Sequence, residues 1–199
     1  MTDHEVIALI LNGNPDKFRI LVERYQTMVF RTCMGFLHNK DDADDLTQDI
    51  FIKVYQSLGS FKGESLFSTW IYRVSVNASL NRVRKNSGSQ VLYRIDQFFN
   101  FTKEKEVPFQ ASESGNPESI LIDQEKSKWV QDALDSLPEN QRTAIVLSKY
   151  DDLSQKEIAA VMNTTEGAVE ALIQRAKANL RVKLSSGYKN NTTPTVGKT

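Results

Sequence analysis

Glu170, Gln174 and Arg175 are spaced about one helical turn apart near the C-terminal end of the chain. A carboxylate can accept from a cytosine edge and an amide can pair with an adenine edge, while a guanidinium can hold guanine or phosphate. On a helical wheel Gly167, Glu170, Ala171, Gln174 and Arg181 share one face, with Arg175 and Lys177 on its flanks. Val169, Leu172, Ile173, Ala176 and Leu180 recur on the other side at core spacing. A face of this kind reaches base edges when its helix is the second of a helix-turn-helix. The preceding residues supply the rest of that motif. Ser154 and Glu157 have the spacing of a capping box, Ile158, Val161 and Met162 give an apolar stripe, and Asn163, Thr164 and Thr165 are turn and N-cap types. An ordinary helical hairpin with a solvated face shares this wheel, but it gives the amide and guanidinium groups no task.

A second cluster is acidic. Asp41, Asp45 and Asp49 follow one another at i+4 steps, with Asp44 and Gln48 beside them, and Ala43, Leu46, Ile50 and Val54 on the inward side. Like charges at this spacing destabilise an isolated helix by a few tenths of a kcal/mol per pair. Placement near a helix N-terminus offsets part of that cost. Such acids suit either a wet helix start or a cationic partner, and DNA phosphate would repel them. Acids along one straight helix do not wrap a cation, so no metal site is expected there.

A third stretch, Ser60 to Arg73, joins a polar loop to an aromatic-rich helix start. The helix then exposes Asn77, Asn81, Arg82, Arg84 and Lys85. Aromatic, amide and basic groups in this mixture suit melted or single-stranded DNA. Trp70 and Phe67 read as core; Lys62, Ser65, Asn77, Asn81 and Arg84 read as DNA contacts.

The 199 residues carry 25 basic and 25 acidic side chains, so the charge is segregated rather than in excess. Five acids and no base lie between Asp41 and Asp49, and five bases and no acid between Ile71 and Arg94. This predicts two kinds of partner, nucleic acid and a basic protein surface. Cys33 is the only cysteine, and with His4 and His38 as the only histidines neither a disulfide nor a metal cluster is expected, and no cofactor. No apolar run spans a bilayer and no signal peptide opens the chain, so direct membrane insertion is not expected and the expected location is cytoplasmic.

The fold expected is all-α, with two small helical domains on a flexible linker: residues 1–85, a linker over 86–118, a helix-turn-helix domain over 119–186, and a disordered tail over 187–199. Asn14-Pro15 opens the first helix read, one helix runs from about Asp41 to Leu58, and another from about Ser68 to Lys85.

Asp44-Asp45-Leu46-Thr47-Gln48-Asp49-Ile50-Phe51, then Phe61-Lys62-Gly63 with Phe67-Ser68-Thr69-Trp70-Ile71-Tyr72-Arg73-Val74, then Leu137-Pro138-Glu139 and the helix-turn-helix occur in that order. Together they resemble the bacterial RNA polymerase sigma factors of the extracytoplasmic-function (ECF) group. The resemblance implies a non-enzymatic initiation factor that takes core polymerase to two-part promoters. It implies that Asp41, Asp45, Leu46, Gln48, Asp49 and Phe51 dock on the clamp of the largest polymerase subunit. It further implies that the 59–67 loop and the following helix capture a flipped base of the −10 box and open the duplex, through Lys62, Ser65, Tyr72, Asn77, Asn81, Arg82, Arg84 and Lys85. The −35 element would be read by Arg142, Glu170, Ala171, Gln174 and Arg175, with Lys177 and Arg181 beside them. An anti-sigma factor is implied as a further partner. The alternative is a two-domain helix-turn-helix regulator not tied to polymerase, which leaves the acidic helix and the 61–70 segment without a task. An enzyme is disfavoured because no nucleophile–base pair or phosphate-cradling loop is present.

Overall fold

The computed structural model describes the backbone over residues 1–99 and 127–190 and the side chains over 1–85 and 127–185. The described residues form α1 (Asp3–Leu11), α2 (Phe18–Leu37), α3 (Lys40–Ser57), α4 (Phe67–Phe99), α5 (127–135), α6 (Glu139–Lys149), α7 (Gln155–Met162) and α8 (Glu166–Asn190), with 3₁₀ turns at Pro15–Lys17 and Leu58–Ser60. No strand occurs among them. The architecture is all-helical, with an N-terminal region of α1 to α4 and a C-terminal region of α5 to α8.

Local chemistry sets the helix ends. Thr2 and Glu5 form a capping box at α1. Residue His38 closes α2 in the left-handed conformation, and the Asn39 side chain then accepts from the Asp42 amide at 3.0 Å to start α3. The expected Ser154–Glu157 box opens α7: the Ser154 amide donates to Glu157 Oε2 at 2.9 Å, and the Glu157 amide donates to Ser154 Oγ at 3.3 Å. Asn163, at φ 53°, ends that helix, and Thr165 Oγ1 accepts from the Ala168 amide at 3.2 Å as α8 begins.

One core lies wholly in the N-terminal region, where Leu21, Val29 and Cys33 of α2 meet Leu46, Ile50 and Val54 of α3 and Phe67 and Ile71 of α4, closed below by Val6, Ile7 and Ile10 of α1. The second core is shared between the regions. Phe36, Tyr72 and Val76 from α2 and α4 pack with Val146, Leu147, Ile158 and Val169. Gly35 permits this approach: a Cβ there would lie 2.6 Å from Val146 Cγ1 and 3.2 Å from Tyr150 Cγ. The two regions are therefore docked on one another.

Three features differ from the sequence expectation. The helix α1 was not foreseen, although Thr2, Glu5 and the apolar Val6, Ile7 and Ile10 carry its signal. Helix α4 continues to Phe99, so residues 86–99 of the segment read as linker are helical; no proline interrupts them, and the one glycine, Gly88, costs only about 1 kcal/mol against alanine. Likewise α8 reaches Asn190, past the expected start of the tail at 187. The rest of the expected linker, 100–118, and of the tail, 191–199, lies outside the described residues.

Replacing Gly35 with Ala should separate two effects. The α2 helix gains up to about 1 kcal/mol from the lost backbone freedom of the unfolded chain, while docking against Val146 and Tyr150 weakens. Fluorescence energy transfer between labels on the two regions should fall, with the N-terminal region melting no earlier than in the parent. Unchanged transfer would show that the close approach is dispensable.

Candidate nucleic-acid and partner interfaces

The acidic helix presents Asp41, Asp44, Asp45, Gln48, Asp49 and Ile52 to solvent. Leu46 and Phe51, included in this surface by the resemblance, point inward and are buried. Their positions relative to Ile50 and Val54 put them on the core side, so they hold the acidic face in place. Arg82 of α4 approaches Asp49 at 3.4 Å and Asp42 at 3.8 Å, neutralising the edge of the acidic face nearest the core bundle. Asp41, Asp44 and Asp45 make no ion pair with the described residues, leaving a negative outer stripe ending in the exposed apolar side chain of Ile52.

The loop before α4 exposes Lys62, with Ser65 half-buried. Phe61 anchors it, with ring centroids 5.4 Å from Phe67 and 5.5 Å from Trp70. Along α4, Asn77, Asn81, Arg84 and Lys85 are exposed and Arg82 is half-buried. Tyr72 is not on that surface: it is buried in the shared core, where burial and the nearby Asp151 push its hydroxyl pKa upward. Arg73 donates from Nη2 to the Ala160 carbonyl at 2.6 Å and from Nε to the Val161 carbonyl at 3.2 Å, satisfying the C-terminal end of α7. Arg84 donates from Nε and Nη2 to the two carboxylate oxygens of Glu139, at 2.6 and 2.5 Å, which lowers the Glu139 pKa. The basic groups of α4 are thus partly engaged by the C-terminal region. Between them lies a hollow of about 390 Å³ lined by Arg73, Asn77, Leu80, Asn140 and Asn163.

On α8, Glu170, Gln174, Arg175, Lys177 and Arg181 are exposed and Ala171 is half-buried, while Val169, Ile173 and Ala176 are buried. None of the five exposed polar side chains pairs with another described residue. Arg142 departs from this surface. It is only 5% exposed, donates to the Leu134 carbonyl at 3.1 Å and to the Asp135 carbonyl, and pairs with the Asp135 carboxylate at 3.3 Å. Its expected place on the DNA face is corrected accordingly: α6 turns this position into the region's interior, where the guanidinium satisfies the C-terminal carbonyls of α5.

A polar cluster also crosses the docking interface. Asp151 lies against Thr32, with Oδ2 2.9 Å from the Thr32 hydroxyl, and that hydroxyl is 3.1 Å from the Met28 carbonyl. The Thr32 hydroxyl donates to Asp151 and also lies within reach of the Met28 carbonyl, so its hydrogen is shared between two acceptors. Burial raises the Asp151 pKa to about 6, opposed by the Thr32 hydrogen bond and Arg31 and assisted by Asp152. Arg31 itself donates to the Tyr150 carbonyl and lies 3.6 Å from Asp152. Near the same interface, His38 Nε2 lies 3.5 Å from the Asp135 carboxylate. Among the described residues no group of acidic, histidine and cysteine side chains is arranged to hold a metal, and no helix is long and apolar enough to cross a membrane.

Comparison with known proteins bears on these surfaces. Residues 21–88 match the family Sigma-70 region 2, and residues 127–180 match Sigma-70, region 4. The RNA polymerase sigma-H factor of Pseudomonas aeruginosa is 32% identical over 179 residues, covering 88% of this chain and 90% of that protein. The ECF RNA polymerase sigma-E factor of Escherichia coli K12 is 34% identical over 182 residues, 89% of this chain and 91% of that one. Among solved structures, CnrH in complex with the cytosolic domain of CnrY aligns with a TM-score of 0.60 at 25% identity, over 92% of this chain and 97% of that one. The sigma factor RpoE of Bartonella quintana, solved with the anti-sigma factor NepR, shares the fold at a TM-score of 0.55 and 21% identity, over 84% of this chain and 96% of that one.

The raised Asp151 pKa fixes the sign of a pH effect. The docked carboxyl holds its proton more tightly than a solvated one, so its favourable contribution to docking is complete below the ordinary value near 3.8 and is lost as pH rises through about 6. Energy transfer between the two regions should increase from pH 7.5 to pH 5. The Asp151→Asn variant, an uncharged mimic, should remove the share of that increase carried by this group. Any slope that remains would have a source other than Asp151. A full slope in Asp151→Asn would exclude Asp151 as its source.

Proposed function

Because the chain belongs to the ECF group of RNA polymerase sigma factors, which direct the polymerase to promoters through regions 2 and 4 without catalysis of their own, we propose a division of its surface into three working faces. The outer stripe of α3, with Asp41, Asp45, Gln48 and Asp49 as contacts and Leu46 and Phe51 as its support, docks on the clamp of the largest polymerase subunit. The observation that carries this assignment is the exposed run Asp41, Asp44 and Asp45, which pairs with no described residue, on a helix whose inner face is buried.

The loop over 61–66 and the exposed side of α4 read and open the −10 element. Lys62, Arg84 and Lys85 hold phosphate, while Ser65, Asn77 and Asn81 meet bases, and Arg82 steadies the acidic helix beside them. Tyr72 and Arg73 are covered in the docked arrangement, so the two regions part before that side of α4 meets DNA. The face of α8 carrying Glu170, Ala171, Gln174, Arg175, Lys177 and Arg181 reads the −35 element. Arg142 supports that reader from inside. Residues 1–85 form the functional unit of region 2 and 119–186 that of region 4, with 86–118 spanning between them and 187–199 as a tail. CnrH was solved with the cytosolic domain of CnrY and the Bartonella RpoE with the anti-sigma factor NepR, and we extend an anti-sigma partner to this protein. Its polymerase and promoter partners place it in the cytoplasm.

Reconstitution tests the assignment. Purified protein with sigma-free core polymerase should initiate from discrete sites on genomic fragments. Asp45→Arg combined with Gln48→Ala should abolish co-elution with core while leaving helicity unchanged; parental affinity would remove α3 from the docking face. Substituting Arg175 with Ala should weaken use of a mapped promoter by about 1–3 kcal/mol, the range of one groove contact, with core binding intact. If every promoter is used as before, Arg175 has no part in −35 reading.

A further inference from the structure

The loop proposed to capture a −10 base is not held by α4 alone. Its anchoring ring, Phe61, packs inward on Phe67 and Trp70, and its outer side meets His4 of α1 at a centroid distance of 5.8 Å and an interplanar angle of 32°. The same imidazole reaches the turn of the loop. Gly63 has φ +72°, and a Cβ there would lie 3.0 Å from His4 Cε1. One ring from the extreme N-terminus thus touches both the anchor of the loop and its tightest backbone turn.

The element carrying His4 is fixed independently. Val6, Ile7 and Ile10 bury the far side of α1. Asp3 receives the Tyr25 hydroxyl at 2.5 Å and pairs with Arg24. The Tyr25 ring in turn stands edge-on to Phe67 at 5.4 Å. By this second route α1 grips the residue at which the loop enters α4. His4 itself is exposed and makes no contribution to the buried core, so its ring contacts serve the loop and not the fold.

We propose that α1 is a brace for the base-capturing loop, and that His4 is a positioning residue for −10 discrimination. The inference rests on the reading of the 61–66 loop as the capture element. Physically, each loop residue left free must be ordered when the base enters, and ordering one backbone residue is a cost binding must overcome. A loop already seated against His4 has met part of that cost, and it presents Lys62 and Ser65 in one geometry. The benefit falls on discrimination between bases, because a loosely held pocket accommodates a wrong base more readily than a rigid one.

The experiment uses holoenzyme assembled from core polymerase and the full chain. The probe is a synthetic fork-junction duplex built on a promoter mapped with the parent holoenzyme, with 2-aminopurine in the −10 non-template strand. Its preference over single-base −10 variants is the readout. His4→Ala should weaken engagement of the parent −10 probe by about fivefold to tenfold, within the scale of ordering one backbone residue, and should lower its preference over the single-base variants, with melting temperature, core affinity and −35 binding unchanged. His4→Phe should restore it, since a flat ring and not a proton is what the loop leans on. Lys62→Ala with Ser65→Ala serves as the control within the loop. If that control loses discrimination while His4→Ala keeps it, the brace is refuted and the capture reading stands. If both variants discriminate as the parent does, the loop reads no base and both ideas fall. A loss in His4→Ala accompanied by earlier melting and unrescued by His4→Phe would overturn the brace in favour of a purely structural role.

Discussion

The close approach of Val146 to α2 at Gly35 governs the arrangement of everything else. No side chain fits between the two helices at that point, so Phe36, Tyr72 and Val76 can seal against α6 and α7 as one core. Once the helices are that near, the polar groups at the margin fall into register. Arg73 reaches the end of α7, Arg84 reaches Glu139, and Asp151 reaches Thr32. A contact without a Cβ thus sets which charged groups of α4 face solvent and which face the C-terminal region.

Charge is divided in a way that the zero net value hides. The α3 acids nearest the bundle are answered by Arg82, whereas those further out are left to solvent. On α8 the polarity is reversed: the inner face is apolar, and the outer one carries an acid, an amide and three bases with no partner among the described residues. Unpaired groups held on rigid helices contribute little to folding and are available for external partners. Screening at physiological salt limits the reach of such groups to about 8 Å. Each face therefore acts on what touches it, which suits separate assignments for separate partners.

Most of the fold was legible because its signals are local. The Ser154–Glu157 box, the Asn163 turn and the apolar stripe of α8 each need only a few neighbouring residues to be recognised, and all stand in the structure. What was not legible depends on distant contacts. Arg142 looks like a surface base until the end of α5 is seen to lie over it. Tyr72 looks like part of a DNA-facing helix until the C-terminal region is docked on it. The lengths of α4 and α8 were underestimated because serine, glycine and asparagine lower helix propensity without forbidding a helix. The brief α1 is signalled locally by its Thr2–Glu5 capping box, but the approach of His4 to Phe61 and Gly63 joins residues far apart in the chain.

Under the proposed reading, the docked arrangement and promoter binding compete for the same groups. Arg84 and Glu139 are both largely exposed, and ion pairs of that kind are weak and salt-screened, so a phosphate can take the place of Glu139 readily. Arg73 is different: its carbonyl partners end a helix and would lose its guanidinium as a donor on opening. The apolar seal around Tyr72 and Val76 resists opening further. Opening therefore has an energetic threshold set by the shared core, with the exposed ion pairs adding little to it. DNA alone meets that threshold poorly, because it engages one region at a time. Polymerase, by holding both regions on one surface, raises the effective concentration of each for its own element. It can thereby shift the population toward the open form by as much as its preference for that form allows.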